Sequence, residues 1–122
     1  MKQLLLKSVA FVVLFLSACS DQASVQLAIV TGTLNTAEAY LIHGDSYAKS
    51  QDYDRAIANY DQAIRLKPAY AEAYNNRGYA YYWNYESAKA IADYSRAIEL
   101  RPNYAYAYNN RGAAYMASGH SD

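Results

Sequence analysis

The chain has 122 residues and sets 11 Lys+Arg against 11 Asp+Glu, for a formal net charge of zero. That length holds one small domain at most, and the charge balance excludes both the basic field that draws nucleic acid and an acidic interaction tail. Fifteen tyrosines against two phenylalanines and one tryptophan mean that an aromatic core here is built from rings that pack on their faces and hydrogen-bond at their tips.

The first segment stands apart from the fold. Lys2 and Lys7 make a positive start, and VAFVVLFL from Val9 to Leu16 is a short apolar run. A bilayer span needs roughly 20 apolar residues, so the run fits the core of a signal peptide instead. Leu16-Ser17-Ala18-Cys19 follows and resembles the bacterial lipobox, an apolar residue and two small ones before a cysteine. The resemblance implies a lipoprotein signal peptide over 1–18, cleavage before Cys19, a lipid on its sulfur and acylation of the new N-terminus. The alternative is an ordinary secretory signal cut after a small residue. Cys19 is the only cysteine, so no disulfide can form within the chain and stability has to come from packing.

Residues 19–36 read as the lipidated cysteine and a tether. They are small, polar and β-branched with no helical stripe, and a strand over 25–30 would have no partner. From Ala37 a period of 34 begins. Tyr40, Tyr74 and Tyr108 share one position, Gly44, Gly78 and Gly112 another, and Tyr47, Tyr81 and Tyr115 a third. Ala56 pairs with Ala90, Tyr60 with Tyr94, Ala63 with Ala97 and Pro68 with Pro102, and AYNNRG occurs twice, at 73–78 and 107–112.

Tyr40, Gly44 and Tyr47 lie on one face of a predicted helix over 37–50, with Asn35 as its cap. Ile57, Tyr60 and Ile64 stripe a second helix over 53–66, capped by Asp52 and stopped by Pro68. The pattern repeats over 71–84 and 87–100, and a last helix covers 105–118. The recurring glycines let the second helix of each unit approach the first, and the tyrosines at 40, 47, 60, 74, 81, 94, 108 and 115 are expected to pack between helices. His43, Arg77 and Arg111 share a position, where the arginine stems are expected to cover apolar surface while their charge reaches water.

The 34-residue period with these positions resembles the tetratricopeptide repeat (TPR), whose unit is a helix–turn–helix. The resemblance covers 37–122 and implies an all-α TPR domain of two complete units, 37–70 and 71–104, and one half unit, 105–122. At the turn of unit two, Asn84-Tyr85-Glu86 stands where the family usually has glycine, so a distorted turn is expected there.

Catalytic chemistry is not visible. His43 sits at a packing position, His120 in the tail, and Asp52 and Asp54 at a helix start, where carboxylates favour the dipole. Thr31-Gly32-Thr33 lacks the glycine-lysine ending of a phosphate loop. The expectation is therefore a protein that is not an enzyme, with no cofactor and no metal. Tyr79, Tyr82 and Tyr106 fall on the other side of the first helices, the side that in the resembled fold lines a concave groove, and Asn75, Asn76, Asn109 and Asn110 lie there or at its edge. Asparagine offers two donors and an acceptor, matching the N–H and C=O of an extended peptide. Some members of the family hold peptide backbone through an asparagine ladder at the position of Asn76 and Asn110. Unit one has Ile42 there, leaving two rungs. The bland alternative is that these asparagines are surface groups. A carboxylate clamp is rejected, because of Leu41, Asp45, Asn76, Tyr106 and Asn110 at its positions only Asn76 matches.

The resemblances together imply a lipid-anchored protein–protein interaction scaffold of the bacterial cell envelope, binding a peptide segment of an envelope protein in the groove and not binding nucleic acid. Ser20 stands where aspartate favours retention at the inner membrane, so the periplasmic face of the outer membrane is the expected address in a host with two membranes. The last helix leaves a surface uncovered, so self-association through it is a further expectation. The alternative is a truncated copy of a longer repeat array with no function of its own.

Overall fold

Five α-helices follow one another in the computed structural model, which describes residues 35–119. They are α1 (Ala37–Lys49), α2 (Tyr53–Leu66), α3 (Ala71–Trp83), α4 (Ser87–Leu100) and α5 (Ala105–Ala117). The signal peptide at 1–18, Cys19, the tether up to residue 34 and His120 lie outside the described residues.

Each helix has a local reason to start and stop. Thr36, not Asn35, caps α1: its backbone is extended, and its hydroxyl accepts from the Ala39 N–H at 3.2 Å, satisfying one of the donors a helix start leaves open. Asp52 caps α2 in the expected way, accepting from the Arg55 N–H at 3.2 Å. Starts α3 and α5 have no side-chain cap; the carbonyls of Tyr70 and Tyr104 accept from Tyr74 and Tyr108 instead, both at 3.2 Å. The helices ending at Trp83 and Ala117 are one residue shorter than the sequence predicts, because Asn84 and Ser118 serve as their C-caps.

The turns inside the units are alike. Gln51 and Tyr85 take left-handed φ values of 60° and 63°, and Gly119, at the same position of the third unit, takes 76°. After α1 the Asp52 N–H reaches back to the Tyr47 carbonyl and the Gln51 N–H to Ala48; after α3 Glu86 reaches Tyr81 and Tyr85 reaches Tyr82. This paired closure is the Schellman motif. The turn expected to be distorted for want of glycine thus has the same geometry as its neighbour.

Helix α2 packs between α1 and α3, and α4 between α3 and α5, while α1, α3 and α5 touch in sequence as one row. The core is alanine and tyrosine. Ala56, Tyr60 and Ala80 form one buried cluster, and Ala90, Tyr94 and Ala114 repeat it one unit later. Alanine lets the helices approach, and the ring fills the space left over Gly44 and Gly78. A Cβ on Gly44 would lie 2.5 Å from Tyr60 Cε1, and one on Gly78 2.8 Å from Tyr94 Cε1.

Only Tyr60 and Tyr94 of the eight repeated tyrosines are fully buried. Tyr40, Tyr47 and Tyr81 are half-buried rims of the clusters, and Tyr108 is exposed, its hydroxyl donating to the Pro102 carbonyl at 3.0 Å. The difference follows from position: the Tyr60 and Tyr94 rings point into the inter-helix space over Gly44 and Gly78, which encloses them. Arg77 also departs from expectation. Its fork grips Asp93 through Nε at 2.8 Å and Nη2 at 2.7 Å, and Nη1 reaches Asp61 at 2.8 Å. The rings of Tyr74 and Tyr81 lie 5.5 and 5.9 Å from it. One cation from α3 therefore ties α4 to α2.

Candidate functional site

The face formed by α1, α3 and α5 carries a continuous row of polar side chains. Tyr60, rising from α2, donates its hydroxyl to Asp45 Oδ1 at 2.7 Å, and Asn76 Nδ2 donates to the same oxygen at 2.9 Å. Asn75 Nδ2 donates to Asn76 Oδ1 at 3.2 Å, and Asn110 Nδ2 to Asn75 Oδ1 at 3.2 Å. The row thus runs Asp45, Asn76, Asn75, Asn110 across all three first helices. Burial, and then the bond to Asp45, push the Tyr60 hydroxyl far above the ordinary tyrosine range, so it stays a donor. Burial likewise raises the hydroxyls of Tyr70 and Tyr104 at the ends of the inter-unit loops.

Beside this row lies a cleft of about 320 Å³ between α1 and α3, lined by Asp45, Ala48, Lys49, Tyr60, Asn75, Asn76 and Tyr79. Of the residues the sequence singles out, Asn75, Asn76 and Tyr79 meet at this cleft, and Asn110 joins through Asn75. Tyr82 is placed differently, half-buried against the cluster of Ala90, Tyr94 and Ala114. Tyr106 is 74% exposed and Asn109 is exposed on α5; neither lines the cleft.

Asp45, Tyr60 and Trp83 are contributions that the sequence reading does not assign to the site. Trp83 is half-exposed and meets Tyr79 and Tyr82 edge-on, with ring centroids 6.1 and 5.4 Å away. A usable signal for it exists: residue 83 falls one turn beyond Tyr79 on the same face. Asp45 could be found the same way, one turn after Leu41 and Ile42. Its role as the acceptor that ends the row depends on Tyr60, fifteen residues away. Among the described residues no group of three or more His, Cys, Asp or Glu gathers to hold a metal ion, and no helix is long and apolar enough to cross a membrane.

Stacked helical hairpins with a polar, aromatic-edged face define an α-solenoid, an architecture whose stacked units present extended binding surfaces. The TPR repeat family matches residues 44–84 and 86–119, and the chain belongs to that family. No curated protein matches it. Among solved structures it resembles MamA, at 35% identity and TM-score 0.67 over 70% of this chain and 50% of that one. It also resembles the TPR2B domain of yeast Sti1 in its pHsp70 complex, at 33% identity and TM-score 0.66 over 67% of this chain and 66% of that one. The first TPR of Spaghetti (RPAP3), bound to the Hsp90 peptide SRMEEVD, aligns at 32% identity and TM-score 0.67 over 68% of this chain and 66% of that one. The chain spans half the length of the MamA structure and about two-thirds of the other two.

Proposed function

We propose that the chain is a lipid-anchored, non-enzymatic interaction module of the bacterial cell envelope that holds an extended segment of a partner envelope protein against α1, α3 and α5. The observation that carries the binding reading is the amide row. After its internal bonds, Asn76 and Asn110 each keep one N–H, Asn110 keeps its carbonyl and Asp45 keeps Oδ2. Donors and acceptors therefore alternate along a face next to an open cleft, and an extended peptide offers its own N–H and C=O at roughly 3.3 Å per residue. Tyr79 and Trp83 add flat aromatic area of the kind that anchors interfaces. Similar TPR domains hold peptides, as the first TPR of Spaghetti does with SRMEEVD. The anchor and the address rest on Lys2, Lys7, the apolar run 9–16, Leu16-Ser17-Ala18-Cys19 and Ser20. Two or more acyl chains hold a protein stably at a membrane, whereas one gives marginal binding.

The binding test places a photo-crosslinking side chain at Tyr79 in cells and identifies the captured envelope protein. Its segment is then titrated against wild type and the Asn76→Ala/Asn110→Ala double variant. Each lost bond is worth about 0.5–1.5 kcal/mol, so affinity is expected to fall roughly tenfold to a hundredfold. Far-UV circular dichroism is the control, because Asn110 also serves the buried Asn75. Unchanged affinity would refute the amide row as the site. For the anchor, labelled palmitate is expected on wild type and not on Cys19→Ala, and a Cys19→Ala chain still in the membrane fraction would refute it.

A further inference from the structure

Two arginines within the chain show what a carboxylate beside a tyrosine ring holds. Arg77 is gripped by Asp93, and its guanidinium carbon lies 5.5 Å from the centre of the Tyr74 ring. Arg101 is bonded to Glu72 and lies 4.6 Å from the centre of the Tyr104 ring. The cleft between α1 and α3 presents the same two parts, the carboxylate of Asp45 and the exposed ring of Tyr79, with no arginine among its lining residues. This carboxylate is fixed in place. The Tyr60 hydroxyl and Asn76 Nδ2 both donate to Oδ1, at 2.7 and 2.9 Å, while Oδ2 accepts nothing among the described residues. Burial keeps the Tyr60 hydroxyl protonated, so its bond to Asp45 persists. Lys49, one turn further along α1, also lines the cleft; it is exposed, and among the described residues it pairs with no carboxylate.

A segment that covers the cleft takes this carboxylate out of water. Oδ1 is already satisfied, but a backbone N–H on Oδ2 leaves a full negative charge enclosed, which is costly unless a cation comes with the segment. We propose that Asp45 and Tyr79 form an anchoring subsite for an arginine of the bound partner segment, its guanidinium donating to Asp45 Oδ2 and lying against the Tyr79 ring. The proposal rests on the reading that this cleft holds an extended segment, and adds which side chain that segment brings. Arginine suits the site better than lysine, because its guanidinium is planar, more weakly hydrated than an ammonium and stacks on aromatic faces. An acidic side chain at the same place meets Asp45 as a like charge, and an apolar one leaves Oδ2 unpaired. Lys49 opposes the arginine only weakly, since its long exposed stem lets the ammonium swing into water.

The probes are the capped tripeptides Ala-Arg-Ala, Ala-citrulline-Ala and Ala-Glu-Ala, titrated by NMR against the isotope-labelled full chain in detergent. Citrulline keeps the shape of arginine and removes its charge. The arginine peptide is expected to saturate, moving the signals of Asp45, Tyr79 and Asn76. The citrulline peptide is expected to bind about tenfold more weakly or worse, and the glutamate peptide not to saturate. Asp45→Asn keeps a carbonyl for Tyr60 and Asn76 to donate to, and is expected to abolish the preference for arginine over citrulline, whereas Lys49→Ala is expected to strengthen it. The arginine–citrulline comparison is made on wild type, so it stands even if Asp45→Asn folds badly. Equal affinity for those two peptides, with the side-chain amide signals of Asn76 and Asn110 moving, overturns the arginine anchor and leaves the groove reading standing. Saturation by none of the peptides, tightest binding of the glutamate peptide or an arginine preference that persists in Asp45→Asn also overturns the anchor. The groove reading then stands or falls on the separate titration of the segment crosslinked at Tyr79.

Discussion

Three glycines at one repeat position face three different tests of space. Alanine in mid-helix is worth about 1 kcal/mol over glycine, while an extra methyl in a packed core costs about 1–3 kcal/mol. At Gly78 the Ala90 carbonyl lies 3.2 Å from the new Cβ along with the Tyr94 ring, and at Gly44 the opposing Tyr60 ring is pinned through its hydroxyl to Asp45. Overpacking therefore wins at both: Gly44→Ala and Gly78→Ala are expected to lower urea stability by up to about 2 kcal/mol, the overpacking cost less the helix-propensity gain. Gly112→Ala meets no neighbour and is expected to raise it by up to about 1 kcal/mol. A stabilised Gly78→Ala would show that Tyr94 can give way. The tyrosines supply a test by pH. Tyr60 and Tyr94 have hydroxyls raised far above the ordinary value of 10.0, first by burial. A raised folded value means that the unfolded chain loses the proton first. Their contribution is thus complete below about pH 10 and declines above it, by about 1.4 kcal/mol per pH unit for each such tyrosine. Absorbance of tyrosinate is expected to include a delayed step that coincides with loss of helical circular dichroism. A single early rise with the helix intact would count against the enclosed hydroxyls.

At the scale of the helices, the turns store the clearest local cost. Gln51 and Tyr85 occupy the left-handed region without being glycine, which costs a residue with a Cβ about 1–2 kcal/mol. The Schellman bonds that close each turn, at 2.9–3.1 Å, hold them there. Tyr85 is 95% exposed, so replacing it loses no packing. Tyr85→Gly is accordingly expected to stabilise the chain by about 1 kcal/mol with no change in structure, and thermal unfolding measures it. A destabilised Tyr85→Gly would mean that the tyrosine makes a contact in solution that its exposure hides. The sequence expectation of a distorted turn weighs the missing glycine as a change of shape, whereas the backbone absorbs it as strain.

Across the molecule, Arg77 links three helices, and its two partners differ in exposure. The Asp93 side chain is 8% exposed and the Asp61 side chain 48%. Hydrogen bonding to Asp93 holds the guanidinium above its ordinary range. Removing Asp93 would leave the largely enclosed guanidinium held only by the exposed Asp61, so Asp93→Ala is expected to cost about 3 kcal/mol and Asp61→Ala less than about 1 kcal/mol, read by urea unfolding. Equal losses would remove Arg77 as the link. The inner face makes its own prediction. The cleft bears Asp45 and Lys49. An acidic tail such as the SRMEEVD peptide held by the first TPR of Spaghetti meets one carboxylate and a single lysine there rather than a cluster of cations. Its affinity for this chain is expected to be weaker than about 1 mM, and micromolar binding by calorimetry would overturn the exclusion of a carboxylate clamp.

Much of this molecule is legible without coordinates. The 34-residue spacing of Tyr, Gly, Ala and Pro determines the helical hairpins, because each spacing marks one side of a helix and each proline ends one. Asp52 as a cap is legible for the same reason, since capping is a bond between residues three apart. What the tertiary structure alone decides is which groups meet across helices. Asn75 and Asn76 are equally plausible surface groups in a linear reading; only the stacking of α1, α3 and α5 strings them between Asp45 and Asn110. Arg77 and Arg111 sit at one repeat position with the same neighbours in sequence, yet one is held by two aspartates and the other keeps half its fork open. Local bonds follow from the order of residues, whereas burial and long-range pairing depend on what the next helix brings alongside.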